Sequence, residues 1–445
     1  MVRNPTTIGS EPEADTVGNR HAPRFLQSSA LAFGIRLSGA GLSYITQVLI
    51  ARFLGVSDFG LYSFAWSCAF LLSVPATMGL DSALMRYYPA YMVQTDFDKV
   101  AGLLRFAVAI ILLNALVIIA VASTMTVFLA VGDSKHFASP VLVGLGAILP
   151  LALLFLGRDC GRAMHRPMLA LVPHELAFPI LLLSAIAAFT ITDAERSAGT
   201  VLSATVICLS IALAGQAAGL FRSLPPQVRS ARPQYEGGRW VRVALPIFII
   251  AIFGQLMDRS DVLMVGMFLS PKEVAVYHAA SRTSTLMQLA MVALLAFTTP
   301  SFSALHAAGK HQELKTLVAR VFRWNLSATV VAAVALIALS RMVMGLFGPG
   351  FTEGTVVLVS LVVAQSFLCI QGPASTLLVM TGYQNITCLI YGVSAALSIL
   401  LNTVFIPAFG IEGAAAATTI AWFVNSVWIN LAVRRRFNTR AFAVP

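Results

Sequence analysis

Charge is what this sequence has least of. Only 11% of its 445 residues are Asp, Glu, Lys or Arg, against about 25% in an ordinary soluble domain. The 58% that is hydrophobic falls in long uninterrupted runs, which excludes a large soluble core and implies an all-α polytopic membrane protein. Cysteine is sparse too. Cys68, Cys160, Cys208, Cys369 and Cys388 are scattered, mostly within apolar runs, so no disulfide framework and no metal-ligand spacing results, and they read as small buried hydrophobes. There is no GxxxxGKS/T loop, which excludes ATP hydrolysis by that route. There is no GxSxG elbow and no His/Cys/Glu cluster, so no metal and no cofactor is expected. The first two dozen residues hold Glu11, Glu13 and Asp15 among prolines and glycines. They lack the apolar core of a signal peptide and read as a flexible cytoplasmic tail, 1–24.

What is present is a set of twelve apolar segments, each long enough to span a bilayer at about 20 residues. They lie near 28–54, 60–80, 103–130, 138–157, 168–191, 199–221, 241–269, 275–300, 323–347, 354–380, 386–407 and 411–433. Of the 30 Lys and Arg residues, 22 fall on one side of this pattern, three (Lys135, Arg196, Lys272) on the other, and five inside spans. Basic loops stay in the cytoplasm, so both termini are expected there. The formal charge of +11 then follows from topology, and no nucleic-acid partner is implied. FLGVSDFGLYSFA (Phe53 to Ala65) aligns with FLSPKEVAVYHAA (Phe268 to Ala280), and AMHRP (Ala163 to Pro167) sits where TGYQN (Thr381 to Asn385) sits at nearly the same spacing. The chain therefore reads as two copies of a six-helix bundle in parallel orientation, 25–222 and 241–433. A cytoplasmic linker, 223–240, joins them, and a basic cytoplasmic tail, 434–445, follows.

Some ions nevertheless sit inside spans. Asp258, Arg259 and Asp261 lie together in the seventh, where a charge costs about 2.5–3.5 kcal/mol on insertion scales. Asp258 and Asp261 share a helical face that Gln255 extends, and Arg259 points about 100° away. This is either an internal ion pair or one wall of a transport cavity with an Asp available to a proton or Na⁺. Other polar stripes match it: Arg36, Ser43 and Gln47 in helix 1; Tyr62 and Trp66 in helix 2; His278, Arg282 and Thr285 in helix 8. A cleft lined by them would be wet and cationic through Arg36, Arg259 and Arg282, and an arginine fork suits a phosphate. Tyr62 and Trp66 could stack on a sugar. Glu175 in helix 5 is a second candidate coupling acid. No outward loop exceeds about a dozen residues, which argues against a membrane glycosyltransferase or polymerase.

The segment ARFLGVSDFGLYSFAWSCAFLLSVPATMGLDSALMRYYP (Ala51 to Pro89) resembles the Wzx-type polysaccharide and O-antigen flippases of the multidrug/oligosaccharidyl-lipid/polysaccharide superfamily. The matching turn residues are Leu54, Gly55, Asp58, Phe59, Gly60 and Tyr62. LLVMTGYQN (Leu377 to Asn385) and PAFGIEGAAAATTIAW (Pro407 to Trp422) are similar to that family's later turns. The resemblance runs from about residue 25 to near the end. It implies two six-helix lobes in a V around a central cavity, alternating access driven by an ion gradient or membrane potential, and no enzymatic activity. The implied substrate is a polyprenyl-pyrophosphate-linked oligosaccharide in a bacterial inner membrane, with Arg36, Arg259 and Arg282 toward the pyrophosphate. Polysaccharide polymerase and chain-length proteins are the implied partners. One departure is that the repeat places Ala251 opposite Arg36. The rival readings are a cation-coupled drug exporter of the same superfamily, a lipid II flippase, and a membrane glycosyltransferase or polymerase.

Overall fold

A computed structural model of the chain describes residues 18–129, 135–193 and 195–437. The first six spans are α1 (Gly18–Leu54), α2 (Val56–Thr77, resuming as Leu80–Val93), α3 (Phe97–Leu129), α4 (Lys135–Leu145, then Ile148–Ala163), α5 (Pro167–Val172 through Phe178–Ile191) and α6 (Ala198–Ser223). The second six are α7 (Gly237–Phe268), α8 (Pro271–Ser284, a 3-10 turn at Thr285–Met287, then Gln288–Ala307), α9 (His311–Ala338), α10 (Thr355–Met380), and α11 and α12 within Gln384–Phe437. Those last two are parted at Gly410, whose φ of 60° and ψ of −141° break the helix. Ten described helices are long and apolar enough to cross a membrane. Dividing Gln384–Phe437 and counting the broken α8 gives the twelve expected spans. Helices satisfy every backbone group internally, which hydrocarbon demands.

The ends of the helices differ from the hydropathy windows. α9 begins at His311, not near 323, because Leu314, Val318 and Val321 bury one face while the other stays polar. α1 already runs from Gly18, inside the segment expected as a tail; residues 1–17 and 438–445 lie outside the described residues. Local signals set other ends. Ser270 and Glu273 form a capping box with Pro271 at the first turn of α8. Ser197 accepts from the Thr200 backbone N–H at 3.2 Å to start α6.

α1–α6 and α7–α12 form two bundles, closed on each other at the end away from the termini. There a Cβ on Gly60 would run into the Pro271 carbonyl, so α2 and α8 touch backbone to backbone. Phe59 is fully buried against Phe351 at 5.8 Å and Phe347 at 6.3 Å. The Arg52 Nε donates to the Leu346 carbonyl at 2.6 Å, and the Tyr44 and Thr283 hydroxyls meet at 3.1 Å.

The opposite end is joined differently. The first turns of α7 pack on the first bundle, with Trp240 fully buried and its indole N–H donating to the Tyr91 hydroxyl at 3.1 Å. Tyr91 donates in turn to Glu236 at 3.1 Å, and Lys99 and Arg239 flank the same carboxylate at 3.4 and 3.1 Å. Burial alone would raise the Glu236 carboxyl, but hydrogen bonds from Tyr91, Arg239 and Lys99 outweigh it and hold the group below its ordinary value. Arg232 and Gln234 donate their backbone N–H groups to Asp98, each at 3.0 Å. Gly79, with φ at 72°, lets the break in α2 rest on α7: a Cβ there would stand 2.6 Å from the Ala244 carbonyl. The Arg239 guanidinium also reaches across to Tyr87 of α2, 5.6 Å from its ring centre.

The closed end sets a test. Gly60→Ala should destabilise the protein by about 1–3 kcal/mol through overpacking, read as a lower unfolding midpoint in detergent. Gly41→Ala, where a Cβ meets nothing within 4 Å, should shift stability by less than about 1 kcal/mol.

Candidate functional site: a two-chambered cavity between the bundles

Two cavities meet at the seam between the bundles. The larger, about 290 Å³, is walled by Ser43, Tyr44 and Gln47 of α1, by Tyr62, Trp66 and Phe70 of α2, and by His174, Glu175 and Phe178 of α5. The smaller, about 220 Å³, is walled by Ser67, Asp258, His278, Gln288 and Gln365. Arg259, Arg282 and Thr285 belong to both walls. The two guanidiniums therefore form the partition.

The partition is built across the seam. Arg259, on α7 of the second bundle, lays its guanidinium 3.7 Å from the ring centre of Phe70, on α2 of the first. A cation over an aromatic face is attracted by the ring quadrupole, more so when desolvated. Its Nε is buried with no hydrogen-bond partner. Arg282 directs its Nε to His278 Nε2 at 3.4 Å. A neutral imidazole that accepts at Nε2 carries its proton on Nδ1, and that atom is also buried and unpartnered. Among the described residues neither arginine forms an ion pair, and Asp258 forms none. The partition thus presents two unpaired guanidiniums and an idle N–H donor, the equipment of an anion site.

The acids separate. Asp258 is exposed to the smaller chamber. Asp261 is only 4% exposed and turns into the second bundle, where Tyr277 donates to it at 2.8 Å and the Val262 N–H at 2.7 Å, with Thr418 at 3.5 Å. The shared stripe expected for these two carboxylates does not hold. Residues three apart on a helix differ by about 60°, and at a bundle seam that angle divides cavity from core. Glu175 does reach the larger chamber. It rides on a π-helical turn, Pro173–Ala177, where Pro173 supplies no N–H and the helix widens. His174 shares that turn, with Nδ1 3.8 Å from Glu175.

Tyr62, Trp66, Gln47, His278, Arg259, Arg282, Asp258 and Glu175 are thus brought together. Trp66 stacks on Phe178 at 6.0 Å, nearly coplanar, and the Gln47 Oε1 is buried without a partner. Gln255 and Arg36 line neither chamber. Arg36 lies further toward the end that bears the termini, within electrostatic reach of Glu175 and Arg162. Sequence reasoning missed His174, Phe70, Ser67 and Gln365. A histidine between Pro173 and Pro179 and a lone Gln365 in an apolar run were visible signals; Phe70 carried none. No group of three metal-ligating side chains occurs among the described residues.

Two helical bundles about a polar seam define a transporter of the two-lobed kind, and comparison with known proteins places it more closely. The family model described as polysaccharide biosynthesis protein matches residues 25–306, more than half the chain, so the chain belongs to that family. A second model, MatE, matches 246–404. The chain is 23% identical over 406 residues to a probable low-salt glycan biosynthesis flippase, Agl15, of Haloferax volcanii, covering 90% of this chain and 82% of that one. Among solved structures, it resembles the lipid II flippase MurJ in an inward closed conformation, with a TM-score of 0.73 at 16% identity over 91% of this chain and 87% of the other. It also resembles an inward-facing multidrug resistance MATE family transporter, with a TM-score of 0.72 at 15% identity, covering 92% of this chain and 94% of that one.

The two acids give a second test. Tyr277→Phe removes a buried hydrogen bond to Asp261 and should cost about 1–2 kcal/mol of stability. Asp258→Asn should leave the unfolding midpoint within about 0.5 kcal/mol of the parent. Differential scanning fluorimetry in one detergent measures both.

Proposed function

We propose that this chain is a flippase for a lipid-linked oligosaccharide, and the unpaired Arg259–Arg282 partition is the observation that carries the reading. A polyprenyl pyrophosphate offers the anion these donors lack, and Tyr62 and Trp66 offer rings on which a sugar can stack. The glycan would occupy the seam while the prenyl tail stays in lipid. The relatives' names agree with this: Agl15 is a probable glycan biosynthesis flippase and MurJ a lipid II flippase. The substrate is moved and not transformed, so the chain is a transporter and no enzyme.

The membrane is a bacterial inner membrane with both termini in the cytoplasm, as the 22 basic residues on that side support. The described conformation is then sealed outward. The moving bodies are 25–222 and 241–433, with 223–240 between them. Pro246, inside α7, removes one helical hydrogen bond where α7 passes from the first bundle to the second, and serves as the hinge. Asp258 and Glu175 are the coupling acids, because two carboxylates otherwise balance the two guanidiniums of the cavity. A proton or Na⁺ at either acid leaves a net positive partition and favours the pyrophosphate. A polysaccharide polymerase and chain-length proteins would receive the product.

The experiment is to delete the gene and measure the pool of polyprenyl-linked oligosaccharide by mass spectrometry. Accumulation, rescued by the parent gene, is the expected result. Arg259→Gln and Arg282→Gln should each reduce rescue by about 10- to 100-fold, the loss of one charge-assisted contact. An unchanged pool together with new drug sensitivity would instead establish the cation-coupled exporter that the MatE match favours.

A further inference from the structure

A third cavity, of about 350 Å³, lies at the end of the second bundle that bears the termini, away from the central partition. Besides the Tyr383 hydroxyl, its described polar lining is basic or imidazole: His306 lies in the last turn of α8, His311 begins α9, Lys315 follows one turn on, and Arg436 lies in the last turn of α12. Among the described residues no carboxylate lines it. The nearest acid on α9, Glu313, is neutralised by Lys310 at 3.0 Å. The His306 Nδ1 is buried with no hydrogen-bond partner, and its ring stands 6.1 Å from that of His311. Arg436 is held over the Tyr383 ring at 5.1 Å, and Phe437 meets the same ring edge-on at 6.0 Å. The inner wall is apolar, formed by the buried side chains of Leu314, Val318 and Leu377.

We propose that this pocket binds the phosphate headgroup of an anionic membrane phospholipid. Three features select that ligand. The donors converge at the depth where α8, α9 and α12 leave the membrane, which is where lipid phosphates lie. Among the described residues they face no counter-ion of their own, so a phosphate gains charge-assisted hydrogen bonds without displacing an internal partner. The apolar wall beneath them suits the start of an acyl chain and gives a fully hydrated anion nothing. Free phosphate shares the headgroup's chemistry but not that wall, and the lipid is the source to which the geometry points.

The test uses the full chain in nanodiscs of equal phosphatidylglycerol and phosphatidylcholine, released into detergent and examined by native mass spectrometry. The parent should retain phosphatidylglycerol over phosphatidylcholine. A Lys315→Gln/Arg436→Gln double variant should lose that retention by at least about tenfold. Arg320→Gln, on the exposed side of α9 and outside the pocket, should retain lipid as the parent does, which separates the pocket from general surface charge. Far-ultraviolet circular dichroism and the unfolding midpoint check that the double variant is folded, and Val318→Phe, which fills the cavity without changing charge, should lose the lipid as well. Equal retention of both lipids, or undiminished retention in both pocket variants, would overturn the proposal. Displacement of the lipid by millimolar inorganic phosphate would overturn the lipid assignment and leave a free-anion site.

Discussion

A guanidinium cannot be left in hydrocarbon, and that constraint organises this molecule. Arg259 stands inside α7 and Arg282 in the last turn of α8 before its 3-10 break, where each charge costs about 2.5–3.5 kcal/mol on insertion scales unless it sees water or a partner. Neither has a carboxylate partner within ion-pair distance among the described residues. The seam between the bundles is the place left to them. One guanidinium lies over Phe70 of the opposite bundle and the other against His278. The polar residues of α1, α2 and α5 gather at the same seam, because that is where water can reach them.

The two ends of the seam are closed by different means. At one end, Gly60 permits backbone contact between α2 and α8, and Phe59 fills the space beside it. That contact is made of small groups and ring edges, with two hydrogen bonds, and it can part without stranding a buried charge. At the other end the bundles are tethered through α7 and the segment before it, by a chain of polar bonds from Trp240 through Tyr91 to Glu236. A seam that is weakly closed at one end and tethered at the other suits a molecule that opens by rocking. The same architecture recurs in a lipid II flippase and a multidrug resistance transporter, so the fold alone does not set the substrate.

Much of this was legible in the sequence. The apolar runs gave the number of spans, since a bilayer sets a fixed length. The scarcity of charge made Asp258, Arg259, Arg282 and Glu175 conspicuous, and they do meet the cavity. Helical periodicity served less well. It placed Asp261 and Gln255 with Asp258 and put Arg36 with Gln47, yet Asp261 bonds to Tyr277 inside its own bundle and Arg36 sits beyond the chamber. A stripe has width, and the sequence does not say where along it one bundle ends and the cavity begins.

The sequence by itself determined the class of molecule, the count of spans and the identity of the intramembrane ions, because each follows from the transfer of side chains between water and hydrocarbon and needs no neighbour. Only the tertiary structure decided which of those ions are free. Phe70 beneath Arg259 and Thr418 beside Asp261 come from helices far apart in the chain, and the π turn that carries His174 and Glu175 meets the partition only across the seam. Pairing in a low-dielectric interior is fixed by distances of a few ångströms, and those distances exist only once the helices have packed.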